Sequence, residues 1–109
     1  QRRLEAEARA GGYITLADVA DVILEVIRPR VSRESLKASL SACFRKNNVP
    51  SRPAEGHRQV REFDRLAAGA VVEAFCTRYY PGETMPDADR QAVREAMTAK
   101  AIERGKPKN

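Results

Sequence analysis

The sequence predicts an all-α fold: a small helical bundle of four main helices plus an N-terminal helical stub, with a long central helix over about 58–80. Apolar residues recur at three- and four-residue spacing through most of the 109-residue chain. No stretch alternates with period two, so no sheet is expected. Capping residues, glycines and prolines fall at the joints between the periodic runs.

The first run, QRRLEAEARAGG, is rich in helix formers but offers one large apolar residue, Leu4. Residues 1–12 are therefore expected to be a helical stub or linker, stopped by Gly11-Gly12. Because the chain opens on Gln1, the stub reads as the end of a longer helix continuing upstream. A single helical domain is expected over 13–105. Its first helix opens at Thr15, a good N-cap, with Asp18 three residues on in the capping-box position. Leu16, Val19, Ile23, Val26 and Ile27 form one stripe and Asp18, Asp21, Glu25 and Arg28 the opposite one. Pro29 ends it, since the residue before a proline disfavours α geometry.

The second main helix opens at Ser32 and closes at Asn47-Asn48, with Leu36, Leu40, Cys43 and Phe44 turned inward. Arg33, Lys37, Ser41 and Arg45 follow one another at four-residue spacing on another side. VPSRPAEG then reads as a connector with two prolines and one glycine. Val60, Phe63, Leu66, Ala67, Ala70, Val71, Ala74 and Phe75 make one continuous stripe. Val72, Cys76 and Tyr79 widen it towards a second face, and together they are the basis for a 58–80 strut, with Gly69 permitting a close helix crossing and Pro81-Gly82 ending it. The last helix takes Asp87 as its N-cap, turns Val93, Ala96 and Met97 inward and stops at Gly105. Residues 106–109, KPKN, are a basic tail.

Charge carries the functional reading. Between Arg28 and Arg61 stand nine cations: Arg28, Arg30, Arg33, Lys37, Arg45, Lys46, Arg52, Arg58 and Arg61. Against two acids, Glu34 and Glu55, this segment carries +7, which leaves −2 on the rest of a chain whose net charge is +5. Positive charge gathered on one helix and its flanking loops points to a polyanion, most often nucleic acid, the other reading being a solvated basic face. Serines beside the cations suit phosphates and base edges. The order of the two helices suggests a helix-turn-helix. Their connection exceeds the tight turn of that motif, and no glycine-turned hairpin is expected to follow as a wing.

Catalytic and metal chemistry find no footing. His57 stands in a Gly/Pro-rich loop with no metal-ligand spacing around it, and no phosphate-loop, dinucleotide or nucleophile-elbow motif occurs. Cys43 and Cys76 read as reduced core residues of a cytoplasmic protein, a disulfide being the other possibility. No catalytic residue, metal, cofactor or small-molecule substrate is expected. No apolar run approaches the ~20 residues that cross a bilayer, so no membrane partner is expected either.

The segment RRLEAEARAGGYITLADVADVILEVI, residues 2–27, resembles the stretch that follows the N-terminal DNA-binding domain in some phage terminase small subunits. There a charged helix ends in an Arg-Gly-Glu step, followed by a hydrophobic pair and an amphipathic helix. Gly11-Gly12, Tyr13-Ile14 and Asp18-Val19-Ala20 take those places here, with Ala-Gly-Gly where the family has Arg-Gly-Glu. The resemblance implies a non-enzymatic protein that binds phage DNA as an oligomer and passes it to a large ATPase subunit. It also implies a DNA-reading domain upstream of Gln1.

The expectation is thus a DNA-associated, self-associating module of a phage, plasmid or bacterial DNA-handling or regulatory system, probing duplex DNA with the 28–61 segment. The alternative is a helical protein–protein adaptor whose basic face meets an acidic partner.

Overall fold

Thr15 and Ser32 open their helices as their residue types dictate. A computed structural model of the chain describes residues 12–54 and 57–105, the side chains of His57 and Arg58 excepted. The stub at 1–11 and the tail at 106–109 lie outside the described residues. Strand β1 (Tyr13–Thr15) leads directly into helix α1 (Leu16–Val26). Thr15 Oγ1 accepts the Asp18 amide, and Asp18 accepts the Thr15 amide in return, so the capping box is complete. The helix ends ahead of Pro29, with Arg28 in the left-handed region at φ 56°, a place glycine ordinarily fills. Helix α2 (Arg33–Lys46) starts at the Ser32 cap, whose hydroxyl accepts the Ser35 amide, and closes at Asn47.

After α2 the fold departs from an all-α bundle. Residues expected as a connector and the first turns of a strut form a hairpin: β2 (Ser51–Ala54) and β3 (His57–Asp64). β3 is the centre of a three-stranded antiparallel sheet of order β1-β3-β2. Pro53, which cannot donate to a ladder, sits on the edge strand, where it does least harm. The long helix over 58–80 is therefore replaced by a strand and a shorter helix, α3 (Arg65–Cys76). Asp64 ends the strand and caps that helix by accepting the Ala67 amide at 2.9 Å. Two short 3₁₀ turns, Thr77–Tyr79 and Pro81–Glu83, lead to α4 (Asp87–Gly105). Asp87 is the first residue of α4 and not its cap.

The error has a physical source. Val60 and Phe63 happen to continue the spacing of Leu66, Ala67 and Ala70, so strand and helix share an apparent stripe. In α3 the buried positions are Ala68, Val72, Phe75 and Cys76, while Leu66, Ala70 and Ala74 are exposed. The true face is rotated from the one the shared stripe suggests. Gly69 provides no close crossing either: a Cβ there would meet nothing within 4 Å.

One apolar core joins all these elements. Ile14, Val19, Val22, Ile23, Leu36, Leu40, Phe44, Val72, Phe75, Val93 and Met97 are buried together. Each large side chain removed from water stabilises the fold by about 1.5–3 kcal/mol. The Phe44 ring meets Phe63 edge-on at 4.9 Å, which locks the base of the hairpin against α2. On the other side of the molecule, Arg94 and Arg90 pair with Glu73 at 2.9 and 3.5 Å and tie α4 to α3.

Two predictions follow from this packing. Gly69→Ala is expected to stabilise the protein by about 0.5–1 kcal/mol, because the site is helical and open; chemical denaturation measures it, and a loss of stability would contradict the open site. Tyr80 donates to Asp89 at 2.7 Å, and its burial with that neighbouring carboxylate pushes the phenol up to about 12 from the ordinary 10.0. A raised folded value means that the contribution is complete below the ordinary range and is lost as pH climbs through about 12. Melting temperature should fall over that alkaline window, and fall less steeply in Tyr80→Phe.

Candidate nucleic-acid interface

The nine cations of the 28–61 segment do not share one environment. Arg28 and Arg30 stand exposed in the α1–α2 connection, and Arg28 Nε donates back to the Glu25 carbonyl at 3.2 Å. Arg33, the first residue of α2, reaches back to α1 and holds Asp21 at 2.8 Å through Nε and 3.5 Å through Nη2. That hydrogen bond and the carboxylate's charge raise the guanidinium above its ordinary range. Lys37 is half-buried along α2, and Arg45 and Lys46 project from its last turn. Arg30, Lys37, Arg45 and Lys46 make no ion pair among the described residues.

The hairpin splits its cations between two faces. Side chains alternate across a strand, so Arg61 shares a face with Phe63, the residue that touches Phe44 of α2. Arg61 Nε donates to Ser51 Oγ at 3.0 Å on that same face. Arg52 and Glu62 face each other on the opposite side and pair at 3.2 Å. Arg52 also lies 3.5 Å over the Tyr13 ring. Glu62 is buried, with Arg104 of α4 at 4.0 Å, and Arg104 in turn reaches Asp18 at 2.8 Å. Arg52 thus takes part in a structural network while 56% of its side chain stays exposed. Arg58 lies within β3, and its side chain is outside the described residues.

Two of the nine, Arg33 and Arg52, are held by carboxylates, and Arg52 stands on the sheet face away from α2. Arg28 and Arg30 lie in the connection before α2, Lys37, Arg45 and Lys46 on α2 itself, and Arg61 on the hairpin face turned to α2. Between the Ser32 cap and Arg45, the exposed positions of α2 are Arg33, Glu34, Ser35, Ala38, Ser39 and Ala42. Beyond its first two residues that face is low, with Arg45 and Lys46 at the far end.

Sequence reasoning missed the hairpin and with it Ser51 and the facing of Arg61. A trace of it was there: Pro53-Ala54-Glu55-Gly56 is a turn-forming stretch with flanking polar and apolar residues on both sides. Among the described residues no group of three or more His, Cys, Asp or Glu could hold a metal ion. No described helix is long and apolar enough to cross a membrane. The side chain of His57 lies outside the described residues. No family model, no curated protein and no solved structure matches this chain.

The cysteines supply a check on the packing of α3 against that of α2. Burial pushes the Cys76 thiol up to about 12 from 9.0, with Arg78 opposing and Glu73 adding to the shift. Cys43 is half-buried on α2, and both thiols are free. A thiol reagent at neutral pH is expected to modify Cys43 first and Cys76 only as the protein unfolds. Equal rates measured by mass spectrometry would contradict the packing of α3.

Proposed function

We propose that this chain is a non-enzymatic DNA-binding module in which α2 lies in the major groove of duplex DNA and the β2–β3 hairpin flanks it. The observation that carries this reading is the hairpin directly after α2, with Arg61 on the face turned to that helix. Two consecutive helices, a following hairpin and a short strand completing the sheet make the arrangement of a winged helix-turn-helix. The likeness is one of architecture alone. The residues support it independently.

A major groove about 12 Å wide admits an α-helix. The exposed face of α2 offers it Ser35, Ala38, Ser39 and Ala42, with Arg33 at the start of the helix. Serine hydroxyls exchange hydrogen bonds with phosphates or base edges, and alanine methyls pack on thymine methyls. Arg45, Lys46, Lys37 and Arg61 stand where phosphates would flank the helix, supplying affinity without sequence reading. The narrow major groove of duplex RNA would not accept α2 in this way, which favours DNA.

In this reading the DNA-contacting unit lies within the chain, where the likeness to terminase small subunits would place it upstream. Tyr13-Ile14 and Asp18-Val19-Ala20, the residues of that likeness, fall in β1 and α1, the strand and helix that brace α2. A phage, plasmid or bacterial DNA-handling role in the cytoplasm, with self-association on DNA, belongs to the same proposal.

The test is binding to a duplex of generic sequence, followed by fluorescence anisotropy over a range of salt. Affinity should fall steeply with salt, and Lys37→Glu with Arg45→Glu should weaken it at least about tenfold and lower the salt slope by ~2. Circular dichroism should show the helices unchanged, since Arg45 is exposed and Lys37 half-buried. Absence of any salt-dependent binding by the unmutated chain would sink the reading and favour an adaptor that meets an acidic protein.

A further inference from the structure

We propose that Asp21 is a built-in competitor of DNA phosphate: it holds Arg33 while the protein is free and gives it up when DNA arrives. The inference rests on the DNA-binding reading above and names a control on that same surface. Helix α1 carries Asp18, Asp21 and Glu25 and no Lys or Arg. Asp18 is committed elsewhere, to the Thr15 amide and to Arg104. Asp21 is the α1 acid that reaches α2, and its contact with Arg33 uses both carboxylate oxygens, at 2.8 and 3.5 Å. A guanidinium offers that same fork to the oxygens of a phosphate.

Position and exposure favour exchange. Arg33 is the first residue of α2, at the end of the helix that leads a recognition helix to base edges and backbone. The Arg33 and Asp21 side chains are 45% and 40% exposed, so a phosphate can reach the guanidinium from solvent without opening the core. Glu34 is the other acid beside Arg33 on α2. An exposed pair of this kind contributes little to stability, so its loss on DNA leaves the fold standing. The +7 of the 28–61 segment is thereby partly masked in the free protein, which weakens adhesion to weak polyanions and leaves a charge to be released on a strong one.

Four chains decide it: unmutated, Asp21→Asn, Arg33→Gln and the double variant, titrated by anisotropy with the same duplex over a range of salt. Asp21→Asn should tighten binding by roughly two- to five-fold, the span expected for release of an exposed pair. The salt slope should stay the same, because the number of phosphates contacted is unchanged. Arg33→Gln should lower the slope by about 1, and adding Asp21→Asn to it should bring no gain. Glu25→Gln, on the same helix, controls for the loss of one negative charge and should change affinity less than Asp21→Asn does. An equal gain from Asp21→Asn with and without Arg33 would overturn the inference in favour of bulk charge. Weaker binding by Asp21→Asn would overturn it in favour of a pair that merely positions α2. If the unmutated chain shows no salt-dependent binding, the DNA reading itself falls, an outcome distinct from these two.

Discussion

Strand β3 is held along both edges and at its inner end, and the rest of the architecture depends on that grip. β1 pairs with it on one side and β2 on the other. At the inner end Phe63 meets Phe44, the Asp64 amide donates to the Pro50 carbonyl at 2.9 Å and the Asp64 carboxylate caps α3. The next amide, that of Arg65, donates to the Gly12 carbonyl at 3.0 Å, so the start of the chain's described part is fastened to the same point. Gly12 has φ 59°, a conformation that only glycine adopts at little cost, and this allows the chain to turn into β1 there. A helix through residues 58–64 would forfeit all of these contacts at once.

A second junction binds the two ends of the described chain. Asp18 completes the cap of α1 and also accepts from Arg104, which lies 86 residues away in α4. Arg104 further approaches Glu62, and Glu62 pairs with Arg52 over Tyr13. Glu62 is largely removed from water, where an unpaired carboxylate would be costly, and two guanidiniums compensate it. No buried side-chain nitrogen or oxygen among the described residues is left without a partner. The network consumes Arg52 and fixes the sheet relative to α4, which leaves the opposite face of the hairpin for α2 and whatever α2 meets.

Charge is distributed by element. α1 is purely acidic, α2 is basic with four cations against Glu34, the hairpin sequence balances Arg52, Arg58 and Arg61 with Glu55, Glu62 and Asp64, and α3 and α4 cross-link their own charges through Glu73, Arg90 and Arg94. Within the 28–61 segment two described cations meet acids, Arg33 at Asp21 and Arg52 at Glu62. Among the described residues, Arg30, Lys37, Arg45 and Lys46 make no ion pair, and three of these four stand on α2. Its long exposed run of serine and alanine is costly to explain as a core-facing surface, since Leu36, Leu40 and Phe44 already fill that role.

Local features were legible from residue types alone. The Thr15–Asp18 box, the Ser32 cap, the Pro29 stop, the Asn47 closure and the buried Leu36, Leu40 and Phe44 all depend on groups within one or two turns of each other. The positions of α1 and α2, the basic character of 28–61 and the buried Cys76 followed from the same short-range rules. The hairpin did not, because its strands have little β-branched or alternating character and are held by partners far away: β1, Phe44 and the Pro50 carbonyl. The sharing of cations between an open face and a closed network was hidden for the same reason, since Asp21, Glu62 and Tyr13 meet their arginines only once the chain has folded. Helix caps and apolar spacing are local chemistry and can be read along the chain; strand pairing and ion pairing across elements are long-range, and only the tertiary structure could decide them.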